Sequence, residues 1–195
     1  MAASSTHVSR RSGGRQLPTW LRDAQRLDVA IYAAIAETPT PSLDRLLSRL
    51  TQASNYWRLW LGSAAILAAT RGACGRRATV AGLASAAVSS AVANLVIKPL
   101  GRRRRPDPND MVPARRAPVP GSTSFPSGHS ATAFAFATGV GSVLPREAIP
   151  IRVLAAAVAY SRVHTGAHYP SDAIAGALLG TMLAQVTSHA LARWS

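Results

Sequence analysis

Three short motifs place reactive side chains at the ends of apolar runs: Lys98 with Arg105-Pro106, then Pro126-Ser127-Gly128-His129, then Ser161-Arg162 followed by His168 and Asp172. Lys98, Arg105 and Arg162 suit a phosphoryl group, because an ammonium tracks one oxygen as a point charge and a guanidinium grips two in its planar fork. Lys98 is the sole lysine among 22 basic residues, so an ammonium there departs from the chain's habitual cation. Ser127 is placed to cap a helix that Gly128 opens, where free N–H groups favour an anion. Asp172 follows His168 at i+4, about one helical turn on, so the carboxylate can fix the imidazole tautomer and support its cationic form. His168 is then a nucleophile candidate, Asp172 its orienting partner, and His129 the general acid for the leaving oxygen. These parts fit phosphate-ester cleavage through a phosphohistidine, a scheme that calls for no metal and no cofactor.

Other polar residues near the motifs read as bystanders. Arg102, Arg103 and Arg104 form a solvated charge run or an anionic-lipid patch. His164 finds no partner in its own segment and reads as a loop histidine. Asp107, Asn109 and Asp110 lack the remaining ligands of a calcium loop and read as a turn. Cys74 is the only cysteine, which excludes an intrachain disulfide and a paired-thiolate metal site.

The elements that must position the motifs are apolar and rich in small residues. At 195 residues the chain fits one domain, residues 26–195, behind a basic tail over 1–25 that is expected to be disordered and lacks the apolar core of a signal peptide. Ala, Gly and Ser fill the apolar stretches, as in closely packed membrane helices. Runs at 56–70, 78–97, 127–144, 149–163 and 172–192 predict five helices, of which the second and fifth reach the roughly 20 residues that span a bilayer. Tyr56, Trp57 and Trp60, with Arg58, read as interfacial anchors. A mixed stretch over 26–36 is too short to span, and Pro39 and Pro41 end it. Beyond it Leu43, Leu46, Leu47 and Leu50 form an apolar face opposite Asp44, Arg45, Ser48 and Arg49, which predicts a helix lying in the interface. The fold class expected is all-α: a membrane-embedded bundle of about five to six helices with an interfacial N-terminal helix.

If the five runs alternate across a bilayer, Lys98, His129, Arg162 and His168 all fall on one face. Arg71, Arg76, Arg77, Arg146, Arg152 and Arg193 fall on the other, and the remaining basic residues on the motif face, which the positive-inside rule places in the cytoplasm. A net charge of +14 favours anionic partners, here lipid head groups and a phosphorylated substrate rather than nucleic acid. The Pro-rich loop over 105–126 reads either as a flap at the substrate entrance or as disorder.

The motifs together resemble the type 2 phosphatidic acid phosphatase superfamily, whose pattern is Lys-x6-Arg-Pro, Pro-Ser-Gly-His and Ser-Arg-x5-His-x3-Asp. Every position is matched here, and the motifs with their surrounding helices cover roughly the C-terminal three quarters of the chain. The resemblance implies a helical core and metal-independent hydrolysis of a lipid phosphate monoester or diphosphate, of the phosphatidate, polyprenyl diphosphate or polyprenyl phosphosugar class. It implies His168 as nucleophile, His129 as general acid and Asp172 orienting His168. Lys98, Arg105, Ser127, Gly128 and Arg162 would bind the phosphoryl group. Membrane members of the family commonly have six spans, against five read here. Two other readings compete: a soluble acid phosphatase or vanadate-dependent haloperoxidase with the same pocket, and a non-catalytic basic membrane adaptor. Long apolar runs speak against the first, and the spacing of Lys98, His168 and Asp172 against the second. Oligomeric state is not legible in the sequence.

Overall fold

The computed structural model describes residues 18–107, 111, 115 and 121–193, so the expectations for the first part of the tail and for most of the 105–126 loop lie outside the described residues. Helix α1 (Thr19–Glu37) begins within the segment expected as tail and buries Asp28, Tyr32 and Ala36 along one stripe at i, i+4 and i+8. It ends ahead of Pro39, and α2 (Pro41–Ala53) starts on Pro41, where the missing N–H costs nothing. The face of α2 differs from the expected one: it buries Asp44, Leu47 and Thr51 and leaves Leu46 exposed. The turn toward the interior follows from Asp44, which has buried partners there.

A kink at Asn55–Trp57, with Tyr56 at φ 54° and Trp57 at φ 65°, leads into α3 (Arg58–Thr70). Helix α4 (Gly72–Ala91) runs through a π-helical turn, Val92–Ile97, into the short α5 (Lys98–Leu100). Then follow α6 (Gly128–Gly141), α7 (Ala148–His164) and α8 (Pro170–Ala192). Among the described residues every regular element is helical, and each of the five apolar runs forms a helix.

Helix α6 is the centre of the bundle, packed against α4, α7 and α8. Its apolar character all round suits a helix enclosed by protein, and at 14 residues it is too short to span a bilayer on its own. Phe136 of α6 meets Trp60 of α3 with ring centroids 5.4 Å apart, and Val140, Ile151 and Val158 complete the core. Trp60 is therefore a core residue and not the interfacial anchor expected, since its ring fills the space that the surrounding alanines leave. Small residues let backbones approach: a Cβ added at Gly176 of α8 would collide with the Ser127 carbonyl oxygen. That contact, with the Ser127 N–H donating to the Asp172 carbonyl at 2.9 Å, sets the Pro-Ser-Gly-His turn directly against the start of α8.

Two helical stretches, Gly72–Leu100 and Pro170–Ala192, are long and apolar enough to cross a membrane. Ile174, Leu178, Met182 and Val186 stand exposed at four-residue steps along α8, and Val80, Val88 and Leu95 along α4 and the π-helical turn that continues it. A stripe of outward apolar side chains on helices of that length is the surface that lipid covers, so the bundle is membrane-embedded.

Candidate active site

From Gly101, whose backbone is extended, to Arg105 the chain forms no regular element and exposure alternates residue by residue, as where alternate side chains share a side. Arg102 and Arg104 are exposed, whereas Arg103 and Arg105 turn inward. On the neighbouring wall the π-helical turn, a distortion that recurs at functional sites, carries Asn94 and leads into Lys98, both of which face the cavity. The result is a cavity of about 280 Å³ lined by Lys98, Arg105, Gly128, His129, Arg162 and His168, with Trp57, Trp60 and Asn94 completing the wall. A larger cleft of about 660 Å³ at the opposite end, beside Arg71, Arg146 and Glu147, holds none of the motif residues. Chemistry, not size, singles out the smaller one.

The spacing of the third motif has a backbone cause. The Arg162 carbonyl accepts from the Ala167 N–H at 3.0 Å and the His168 N–H at 3.1 Å, closing the turn that ends α7. His168 is 2% exposed and its two nitrogens face different surroundings. Nε2 lies 3.1 Å from Nη1 of Arg105, a donor only, so Nε2 is the unprotonated nitrogen and faces the cations. Nδ1 therefore carries the hydrogen and faces Oδ2 of Asp172 at 3.8 Å, an ion-pair distance longer than a hydrogen bond. Burial pushes the imidazole down to a pKa of about 4, with Arg105 and Arg162 acting in the same direction and Asp172 opposing them. His168 is thus neutral at ordinary pH, the form a nucleophile needs.

Asp172 is fully buried at the first turn of α8. Oδ2 accepts from the Ser124 hydroxyl and from the Tyr169 N–H at 3.0 Å, and Oδ1 accepts from Nη1 of Arg103 at 2.8 Å. Arg105 is steadied by the Ala167 carbonyl at 2.7 Å and the Ser122 carbonyl at 2.8 Å. Nη1 of Arg162 donates to the Thr51 hydroxyl at 3.3 Å. Ser127 is wholly buried, and its Oγ accepts from the Ser130 N–H at 3.4 Å and the Ser130 hydroxyl at 3.0 Å. Its side chain is thus engaged in the helix cap, and Gly128 forms the cavity wall. A Cβ added at Gly128 would lie 3.2 Å from Asn94 Oδ1 and 3.6 Å from Lys98 Nζ, so the ammonium overhangs the start of α6.

Four residues that the sequence reading passed over or set aside as bystanders have buried partners or face the site. Asn55 sits at the kink before α3, with its Oδ1 3.0 Å from Nε2 of His129. Arg103, expected to be solvated with its neighbours, instead bridges Asp172 and Asp28 of α1. The signal that could have found it is the period of two in an extended run before Pro106: the partner of Arg105 is Arg103, not Arg104. His164 is not a loop histidine. It ends α7, is buried, and its Nε2 lies 2.8 Å from Oδ1 of Asp44. Arg115, within the loop read as a flap or disorder, is wholly buried and donates to the same oxygen through Nε at 2.8 Å. Burial pushes the Asp44 carboxyl up, but hydrogen bonds from Thr40 and His164 and the Arg115 charge outweigh it and hold the pKa below the ordinary value.

Residues 78–195 match the PAP2 superfamily, and the chain belongs to that family. It is 35% identical over 167 residues to the decaprenylphosphoryl-5-phosphoribose phosphatase of Mycobacterium tuberculosis, covering 84% of this chain and 90% of that one. It is 37% identical over 108 residues to the lipid A 1-phosphatase of Rhizobium johnstonii, covering 54% of this chain but only 44% of the relative. The chain thus spans less than half the length of that relative. Its fold is that of the transmembrane PAP2-type phosphatidylglycerolphosphate phosphatase of Bacillus subtilis, at a TM-score of 0.67 and 24% identity over 89% of this chain and 88% of that one.

Proposed function

We propose that this chain is a membrane lipid phosphatase, releasing inorganic phosphate from a lipid phosphate monoester or diphosphate. The observation that carries the reading is the convergence of Lys98, Arg105 and Arg162 on one cavity with Nε2 of His168. A phosphoryl group seated among those cations displaces Arg105 from Nε2 and leaves the imidazole lone pair facing phosphorus. Attack forms the N–P bond and breaks the ester P–O bond, while His129 gives its proton to the departing lipid oxygen. Water then cleaves the N–P bond, returning its proton to His129 and releasing phosphate. Charge on the transferred oxygens is met by the three fixed cations, which cost no reorganisation at the moment of reaction.

A lipid substrate is supported by the names of the relatives above. A chain longer than the cavity of about 280 Å³ would extend along the exposed apolar surface of the bundle. The location that the charge distribution favours is the cell membrane with the site on the cytoplasmic side. Cys74, exposed near the start of α4 and far from Lys98 along the same helical stretch, reports this directly. A membrane-impermeant maleimide applied to intact cells labels Cys74 if the site faces the cytoplasm; labelling only after lysis reverses the orientation.

The activity is tested by phosphate release from detergent-solubilised full-length chain offered phosphatidate, phosphatidylglycerol phosphate, a polyprenyl diphosphate and a polyprenyl phosphosugar. Release from at least one, at a rate unchanged by EDTA, is the expected result. No release from any of them overturns the reading.

A further inference from the structure

Asp172 is gripped from both sides, and only one grip comes from its own surroundings. Oδ2 is bonded by Ser124 and by the Tyr169 N–H, which belong to the loop and helix turn next to it. Oδ1 is bonded by Arg103, whose guanidinium reaches across to α1. Nη1 of Arg103 donates to Asp172 and to the Ser171 hydroxyl at 2.6 Å, Nη2 donates to Asp28, and the guanidinium lies over the Tyr169 ring at 4.4 Å. Asp28 is itself fixed, accepting from the Ser171 N–H at 2.8 Å and the Ser171 hydroxyl at 2.7 Å. The Arg103 carbonyl accepts from the Ser124 N–H at 2.9 Å, so the segment that carries Arg103 also places Ser124.

Resting on the reading of His168 as nucleophile, we propose that Arg103 is a positioning residue: it bridges Asp28 of α1 and Asp172 of α8 and so holds the carboxylate that orients His168. A carboxylate anchored through Oδ2 alone can still swing about its Cβ–Cγ bond, and a fork fixed at its other end stops that motion. The same contact shares the negative charge of Asp172, which limits how far Asp172 can stabilise protonated His168. Without Arg103, Asp28 and Asp172 are two buried carboxylates with no cation between them. Helix α1 thereby becomes part of the catalytic assembly, although it lines no wall of the cavity.

The test uses the full-length chain in detergent and the fastest lipid of the panel above. Arg103→Gln is expected to lower kcat roughly tenfold or more with KM nearly unchanged, the range typical when a group that orients a reacting residue is lost. It should also move the acid limb of kcat/KM up by about one pH unit, because His168 gains protons more easily beside an unshared Asp172. The other charged and titratable groups facing His168 are Arg105, Arg162, Lys98 and His129, and none changes in this variant. Arg103→Lys should restore the limb and part of kcat. Asp28→Asn should lower kcat less, and the Asp28→Asn/Arg103→Gln pair should be no slower than Arg103→Gln alone, since Asp28 acts through Arg103. If Arg103→Gln fails to fold, Arg103→Lys and Asp28→Asn carry the test, and full kcat in both overturns the proposal. A rise in KM with unchanged kcat, which marks a substrate contact, overturns it. So does a loss of activity that merely follows the melting temperature with the pH limb unmoved. His168→Ala retaining activity would instead overturn the reading of the site itself.

Discussion

Two buried clusters in this bundle share one composition, a histidine, an aspartate and an arginine, and their histidines lie in the same short segment. His164 sits 2.8 Å from Asp44, which also takes Arg115 at 2.8 Å and Thr40 at 2.8 Å. The ring lines neither cavity described above, and the network ties α2 and α7 to the C-terminal end of α1 through the carbonyls of Ile35 and Thr38. His168 sits 3.8 Å from Asp172, and its Nε2 opens on a cavity lined by three cations. A close, closed pairing suits a structural role; a looser one, whose lone pair meets only the displaceable Arg105 guanidinium among three cations, suits an anion. Residue type does not separate the two clusters, but access and the excess of cations do.

Removing the histidines breaks the comparison most sharply. His168→Ala should cost at least about 10⁴-fold in kcat, as loss of a nucleophile does, while His164→Ala should keep kcat within about threefold and lower the melting temperature. Turnover and thermal unfolding of both variants in one detergent check this, and equal losses of turnover would erase the distinction. Next in size is Arg115→Met, which leaves Asp44 buried without its main cation. A cost of about 3–5 kcal/mol in stability is expected, with activity per folded molecule preserved.

The smallest effect is one of pH. His168 has its folded pKa lowered to about 4, below the ordinary 6.5, so its neutral form persists as pH falls through 6 and 5. The acid limb of kcat/KM should therefore lie near pH 4 and not near 6.5. The stability linked to this group runs the same way: fully present above the unfolded value and lost as pH falls toward the folded one. An acid limb near 6.5 would mean that His168 is solvated, contrary to its burial.

The motifs that line the cavity were legible in the sequence because each is local. Lys98 to Arg105, Ser127 to His129 and Arg162 to His168 are short spans whose geometry a π-helical turn, a capped helix start or a closed loop can fix. Alternation of the apolar runs predicted that their ends lie on one side, and in the fold those ends line one cavity. The order of the five helices was legible for the same reason, since each run announces its own element. What escaped was non-local or shared a composition with noise. Asp44 and His164 are separated by most of the chain, so nothing near either residue announces the pair, and the amphipathic pattern of α2 assigned Asp44 to solvent. Arg103 was hidden in a run of arginines whose members differ only in the direction an extended backbone gives them. Trp60 matched an interfacial anchor by type and position, and only the packing around Phe136 shows it to be core.

The central claim is that Nε2 of His168 takes the phosphoryl group, and the most direct measurement is to trap that species. Full-length chain mixed rapidly with its lipid substrate and quenched in alkali, where phosphohistidine survives, is digested and its peptides weighed. The account predicts one added phosphoryl group on His168, absent in His168→Ala and unaffected in His164→Ala. Turnover with no phosphorylated peptide, or with the phosphoryl group on His129 or His164, would contradict it.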